Sequence, residues 1–211
     1  MIYDITPEVT PRLAVFPGDT PASREVLLDM QRGDPLTLST LRATVHLGAH
    51  ADAPSHYGRD ARAIDEQPLE LYCGPCRLVR VEAQRGSRIT PRQFPDDIDT
   101  ERLLIATGTY PDFNNWNDDF AALSPDLVDH LHERGVRRVG VDTPSVDTAD
   151  SKDLPAHHRF LANDMAIIEG LVLADVPAGV YEFIALPLRL VGFDASPVRA
   201  ILRRQALGVR S

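Results

Sequence analysis

The chain has 211 residues, of which 43% are hydrophobic, enough for one domain with a sizeable core. Its 31 acidic residues outnumber the 22 basic ones and give a net charge of −9, which argues against nucleic acid or an anionic membrane surface as a partner, since both reward a basic patch. No run approaches the roughly 18–20 apolar residues of a membrane span, and the opening MIYDITPEVTPRL has neither the basic nor the apolar region of a signal peptide, so a cytoplasmic location is expected.

Ile2, Tyr3 and Ile5 predict a short strand over 1–5. Phe16-Pro17-Gly18-Asp19 has Pro and Gly at the two central positions of a type II turn. It leaves Phe16 at a loop edge, where an aromatic ring either lines a pocket or anchors the turn. Residues 24–30 and 38–47 read as strands. In the second, Leu38, Thr40, Arg42, Thr44 and His46 alternate with Ser39, Leu41, Ala43, Val45 and Leu47, so that it delivers His46 at its end.

The chemistry is densest over 46–56, His-Leu-Gly-Ala-His-Ala-Asp-Ala-Pro-Ser-His, which holds three of the seven histidines and one aspartate. One histidine alone would read as an ordinary buried or surface residue; this density does not. His46, His50, Asp52 and His56 sit at offsets 0, 4, 6 and 10. A helix would bring His46 and His50 together but swing Asp52 away, whereas extended backbone points even offsets to one face. Gly48 and Pro54 argue against a regular strand throughout. The expectation is a strand that ends near His46 and enters a tight loop, with the four side chains converging. Neutral imidazoles with a carboxylate suit Zn²⁺, Mn²⁺ or Fe²⁺, and further ligands are to be sought in the second half of the chain.

Residues 59–70 read as a polar loop with some helical turns. The two cysteines form Cys73-Gly74-Pro75-Cys76, the tetrapeptide of thioredoxin active sites. A redox site would need a helix opening at the second cysteine, but the sequence after Cys76 alternates like a strand over 76–83, so a Gly-Pro turn entering a strand is expected. No second ligand pair lies close enough for a zinc knuckle. Thr90-Pro91 opens a short helix or turn, and 103–107 is a buried strand. The loop 113–117 carries the only tryptophan, Trp116, which either pins the loop or packs on a substrate or a neighbouring subunit.

Ser124-Pro125-Asp126 predicts the start of the clearest helix, with Leu127, Val128 and Leu131 on its apolar face and Gly135 at its end. His130 and His132, two residues apart, do not share a face and read as surface groups. A strand follows over 136–141. The stretch 155–164 is helix-compatible and carries His157 and His158. Glu169 lies in an apolar run with Ile167, Ile168 and Leu171, where burying a carboxylate is costly unless it is paired or bound to metal. It is the best remote ligand candidate, with His157 as companion; the alternative is a solvent-facing position in an amphipathic strand. Residues 181–190 predict a strand with Pro187 near an edge or bulge, and Ser196-Pro197 predicts the cap of a last helix over 197–206. No repeat, low-complexity tract or linker divides the chain, so 1–211 is expected to be a single domain.

The pattern His46-x3-His50-x-Asp52-x3-His56, with a later histidine and Ile167-Ile168-Glu169-Gly170-Leu171, resembles the cyclase-like metal hydrolases. Phe-Pro-Gly-Asp (16–19), Gly-Val-Asp-Thr-Pro-Ser-Val-Asp (140–147), Ile-Ala-Leu-Pro-Leu-Arg-Leu (184–190) and Asp-Ala-Ser-Pro-Val-Arg-Ala (194–200) narrow the resemblance to the bacterial kynurenine formamidase (arylformamidase) family. The resemblance implies an α/β fold of swivelling β/β/α barrel-like architecture, usually a homodimer. It implies that His46, His50 and Asp52 hold a first Zn²⁺, that Asp52 bridges to a second held also by His157 and Glu169, and that His56 is the general acid/base rather than a ligand; Mn²⁺ is the alternative metal. His157 is preferred to His158 because the family shows a twelve-residue step to Glu169. The implied reaction is hydrolysis of a small aryl formamide, N-formyl-L-kynurenine, to L-kynurenine and formate. Phe16 stands where these enzymes commonly have a Trp that packs on the aromatic substrate. That departure leaves open a related hydrolase acting on another aryl or cyclic amide such as isatin; a non-catalytic metal-binding protein is the rival from another class.

Overall fold

The computed structural model describes residues 1–95 and 98–204. Their strands are β1 (Ile2–Asp4), β2 (Ser23–Leu28), β3 (Leu38–Arg42), β4 (His50–Asp52), β5 (Cys73–Arg80), β6 (Arg88–Ile89), β7 (Arg102–Ala106), β8 (Ala122–Leu123), β9 (Arg138–Val141), β10 (Ala166–Glu169), β11 (Gly179–Ile184), β12 (Ala195–Pro197) and β13 (Ile201–Arg203). The α-helices are α1 (Pro125–Glu133) and α2 (Pro155–Ala162). Nine strands form one curled, half-barrel sheet in the order β1-β13-β11-β5-β7-β9-β10-β4-β12, a mixed α/β architecture. Its centre, β5-β7-β9-β10, is parallel; both flanks are antiparallel. Among the described residues, no helix is long and apolar enough to cross a membrane.

The two-residue period of a strand decides what each face does. Ala49, Ala51 and Ala53 around β4, Leu104 and Ala106 on β7, and Ile168 on β10 join one buried cluster with Phe183 and Leu202. Leu103, Ile105, Val139, Val141 and Ile167 face the other way, onto Leu127, Val128 and Leu131 of α1 and Phe160 of α2. His50, Asp52 and Glu169 alternate with Ala51 and Ile168, so they fall on the helix-covered face. The helices are tied together by Asp129 of α1, which accepts from Arg159 Nε at 2.8 Å and Asn163 Nδ2 at 2.7 Å.

Helix α1 starts as the sequence predicts. Ser124 Oγ accepts from Leu127 N at 3.1 Å, Pro125 occupies the first turn, and Gly135 follows the helix with φ of +82°. The Phe16–Asp19 turn also forms: Asp19 N donates to Phe16 O at 2.9 Å, and Gly18 adopts a φ of +97°.

Several expectations are corrected. The strand expected over 38–47 stops at Arg42. It pairs only with β2 and every residue of it is exposed; beyond it Ala43 and Leu47 pack with Leu13 and Ala22 in a small separate cluster without strand pairing. His46 lies beyond it in a loop, while His50 and Asp52 occupy β4, a separate strand. The strand expected over 24–30 ends at Leu28, before a 3-10 turn over Met30–Arg32 capped by Asp29. The Cys73–Cys76 tetrapeptide is itself strand, with Gly74 opposite Phe183 and Pro75 opposite Glu182. Pairing of β5 with β7 begins only at Arg77, so Pro75 forfeits no bond on that side. Both thiols are free, and burial pushes Cys76 up to about 11. The strand expected over 181–190 ends at Ile184, short of Pro187. The helix expected over 197–206 is absent through residue 204, and 205–206 lie outside the described residues. Ser196 instead sits in β12, an edge strand where Pro197 needs no donor, and its Oγ accepts from Leu188 N at 2.8 Å.

Candidate metal centre

Glu169 ends β10 and pairs with His50 at the start of β4. Two residues on, Asp52 projects from the same face of β4. Helix α2 brings His157 in from above, and the loop before β4 brings His46. These groups therefore meet where the parallel strands β9 and β10 end, a common place for sites in α/β sheets. A close approach of two loops completes the frame: Gly48 and Gly170 have φ of +55° and +69°, and a side chain on Gly170 would collide with the Gly48 carbonyl.

Asp52 is the centre of the cluster. It is 1% exposed, and neither of its oxygens receives a well-formed hydrogen bond. Yet three imidazole nitrogens surround it: His46 Nδ1 at 3.1 Å and His50 Nε2 at 3.4 Å from Oδ1, and His157 Nε2 at 3.5 Å from Oδ2. Glu169 closes the ring, with Oε2 3.4 Å from His50 Nε2 and Oε1 3.7 Å from His157 Nε2. It also accepts from Val146 N at 2.7 Å. At 3% exposure, Glu169 is not the solvent-facing strand residue of the alternative reading. A buried carboxylate without donors is costly in protein alone; encircled by ligand atoms, it has the chemistry of a cation site.

The far side of each imidazole supports the same conclusion. His50 Nδ1 lies 2.9 Å from Gly48 O, His157 Nδ1 2.8 Å from Asp147 Oδ2, and His46 Nε2 3.0 Å from Asp194 Oδ2. An N–H donated outward to an oxygen leaves the other nitrogen with its lone pair facing Asp52 and Glu169, the arrangement that orients metal-binding histidines. The donor set thus fits divalent metal. Two such groupings are present among the described residues: His46, Asp52 and His56, and His50, Asp52 and Glu169.

Electrostatics agree. Burial opposes the charge on His46, but Asp52 outweighs it and holds this imidazole up at about 9. Burial also opposes His157, but Asp147 and Asp52 raise it to about 10. Burial works against the Asp52 charge, yet His157 and His46 keep it well below the usual carboxylate range. The same negative field that favours protons on His46 and His157 would favour divalent ions in their place.

His56 lies in a 3-10 turn over Pro54–His56, its ring centroid 4.2 Å from that of His46. Its Nδ1 is 3.4 Å from Asp194 Oδ2. Above the cluster is a cleft of about 440 Å³, within the usual range for small-molecule sites, lined by His46, His50, His56, His157 and Glu169 below and by aromatic rings above. Phe16 and Trp116 form one wall, edge to face with centroids 5.2 Å apart. Trp116 also packs on Tyr110 and Phe120 at 6.0 and 5.9 Å, so it both pins its loop and borders the cleft.

Every metal or catalytic candidate from the sequence is thus gathered in one place, with Phe16 at the mouth. His158 is exposed on α2, while His130 and His132 on α1 are not among the lining residues. The sequence reading gave no role to Asp147, Asp194 or the Gly48 carbonyl. Asp147, which accepts from Ala156 N and His157 N at 3.1 Å, carried no sequence signal beyond its place in the stretch 140–147 quoted for the resemblance. Asp194, 148 residues from His46, carried none beyond its place in a stretch quoted for the resemblance.

Comparison with known proteins places this geometry in a family. The family model described as "putative cyclase" matches residues 3–148. The kynurenine formamidase of Bordetella petrii is 45% identical over 204 residues, 96% of this chain and 97% of that protein. Among solved structures, a potential metal-dependent hydrolase with cyclase activity superposes with a TM-score of 0.85 at 27% identity, over 98% of this chain and 99% of that one. Isatin hydrolase A from Labrenzia aggregata shares the fold, with a TM-score of 0.79 at 23% identity over 97% and 94% of the two chains. By family model, by a relative matched along nearly its whole length and by fold, the chain belongs to the cyclase family.

Proposed function

We propose that the protein is a metal-dependent amide hydrolase that converts N-formyl-L-kynurenine to L-kynurenine and formate. The observation that carries this reading is the buried Asp52, unbonded in protein terms yet ringed by imidazole nitrogens beneath an aromatic cleft. The extensive identity to a kynurenine formamidase supports the substrate. In this reading His46, His50 and Asp52 hold one Zn²⁺, and Asp52, His157 and Glu169 share a second; the working unit is a cytoplasmic homodimer. Bound zinc would supply an activated water, with a pKa near 7, and a Lewis acid for the formyl oxygen.

The remaining work falls to the chain. The Phe16–Trp116 wall packs the aryl ring of the substrate and excludes water from one side of the formyl group. An aryl amine leaves poorly as an anion, so its nitrogen must be protonated as the C–N bond breaks. His56 lines the cleft beside the ligands and is suited to take a proton from the attacking water and return it to that nitrogen. Val146 N and Asp147 hold Glu169 and His157 in place.

Phe16, where a Trp is common in these enzymes, favours a second reading, opening of a cyclic aryl amide such as isatin, with Mn²⁺ in place of zinc. Side-by-side absorbance assays on N-formyl-L-kynurenine and isatin, with a known metal count and before and after chelation, test both. Formylkynurenine turnover that is lost on chelation and restored by Zn²⁺ is expected. No turnover of it at two metals per chain would discard that substrate.

A further inference from the structure

Asp194 stands at the head of β12, the edge strand paired with β4. Its backbone is anchored beside the site: Ala53 N donates to Asp194 O at 2.8 Å, and Ala195 lies opposite Asp52 in register. Its side chain is 48% exposed, so the metal cluster does not need it for burial. Nevertheless a single oxygen, Oδ2, sits 3.0 Å from His46 Nε2 and 3.4 Å from His56 Nδ1. The two rings are close and tilted by 45°, with centroids 4.2 Å apart, which lets one carboxylate serve both.

We propose that Asp194 is a positioning residue that orients the metal ligand His46 and the acid/base His56 together and sets the tautomer of each. A carboxylate oxygen can only accept. His46 Nε2, hydrogen-bonded at 3.0 Å, is therefore an N–H nitrogen, and the same oxygen, at ion-pair distance of 3.4 Å, favours the proton on His56 Nδ1. His46 then offers the lone pair of Nδ1 to the cluster, and His56 keeps the lone pair of Nε2 for the reaction. Two rings that must cooperate in one turnover are registered against each other by an atom fixed to the strand next to Asp52. The role given to His56 rests on the formamidase reading; the geometry of Asp194 does not.

The test compares the zinc-loaded wild type with Asp194→Ala and Asp194→Asn, each also in a His56→Ala background. In histidine-¹⁵N-labelled wild-type protein, His56 is expected as the Nδ1–H tautomer, changing to a mixture in Asp194→Ala. At full zinc occupancy, kcat for N-formyl-L-kynurenine should fall 10–100-fold with KM within about twofold, and Asp194→Asn, which keeps one acceptor oxygen, should recover part of the loss. In the His56→Ala background, Asp194→Ala should cost little further kcat while still weakening zinc binding through His46. An Nε2–H tautomer of His56 in the wild type, or unchanged kcat and zinc affinity in Asp194→Ala, would overturn the proposal. Absence of formylkynurenine turnover in the wild type would sink the formamidase reading alone, since tautomer and zinc affinity would still decide the role of Asp194.

Discussion

Asp147 makes the sharpest single perturbation of the site. It is fully buried and its carboxylate accepts from Arg88 Nη1 at 2.7 Å, His157 Nδ1 at 2.8 Å, His157 N at 3.1 Å, and Ala156 N at 3.1 and 3.2 Å. In Asp147→Asn, one of the two oxygens becomes an NH₂ group. It must point N–H either at the Arg88 guanidinium or at His157 and the first turn of α2, and each of these is a donor. Removing one partner of a buried ion pair costs about 3–5 kcal/mol, a large share of the roughly 5–15 kcal/mol that holds a domain together. With a urea slope of about 2 kcal/mol per M, the unfolding midpoint should fall by about 2 M. The second consequence is chemical. If the amide faces His157, the imidazole escapes the clash by moving its proton to Nε2, the nitrogen aimed at Asp52 and Glu169. Zinc affinity, measured by competition with a chromophoric chelator, should then fall 10–100-fold. Arg88→Met serves as control: it removes the Arg88 side of the network and should destabilise while leaving zinc affinity within about threefold, because Asp147 still faces His157. Wild-type zinc affinity in Asp147→Asn would refute the idea that this carboxylate orients His157.

Trp116→Ala removes half of an aromatic wall, and with such pairs contributing about 0.5–1.5 kcal/mol beyond burial, KM should rise about three- to tenfold with kcat nearly constant; a fall in kcat alone would place Trp116 in the chemical step instead. Arg138 is fully buried over the Phe183 ring at 3.9 Å, and its guanidinium nitrogens find no hydrogen-bond partner among the described residues. Burial pulls its pKa down to about 9. Arg138→Met should therefore raise the urea midpoint, by about 1–4 kcal/mol in stability; a lowered midpoint would mean that the charge is compensated. Burial opposes the charge of Asp129, but Arg159 and Asn163 bring its pKa below the ordinary value. A carboxylate depressed on folding contributes stability above its unfolded pKa, about 3.9, and loses it as pH falls through the folded one. Asp129→Asn should flatten the acid limb of stability between about pH 4 and the lower folded value; an unchanged limb would show that this tie between α1 and α2 does not matter to folding.

The features legible from sequence are those whose cause is local. His46, His50, Asp52 and His56 fall within eleven residues, so their density alone marks a candidate ligand cluster. Ser124, Pro125 and Gly135 carry the ends of α1 in their own chemistry, and Glu169 betrays itself because a carboxylate in an apolar run needs a partner. What tertiary structure alone decided depends on which strand lies beside which. The alternation over 38–47 is that of a half-buried strand, but β3 has no core to face, so pairing ends at Arg42. Ser196-Pro197 reads as a helix start, but β4 offers an open edge that takes the segment as β12. The same pairing carries Asp194 across 148 positions of chain to His46, with His56 beside it, and the closing of α2 over the sheet sets His157 on Asp147 while turning His158 to solvent. A local pattern can name the groups that bind a metal; the carboxylates that aim those groups come from strands whose neighbours are chosen only when the whole sheet assembles.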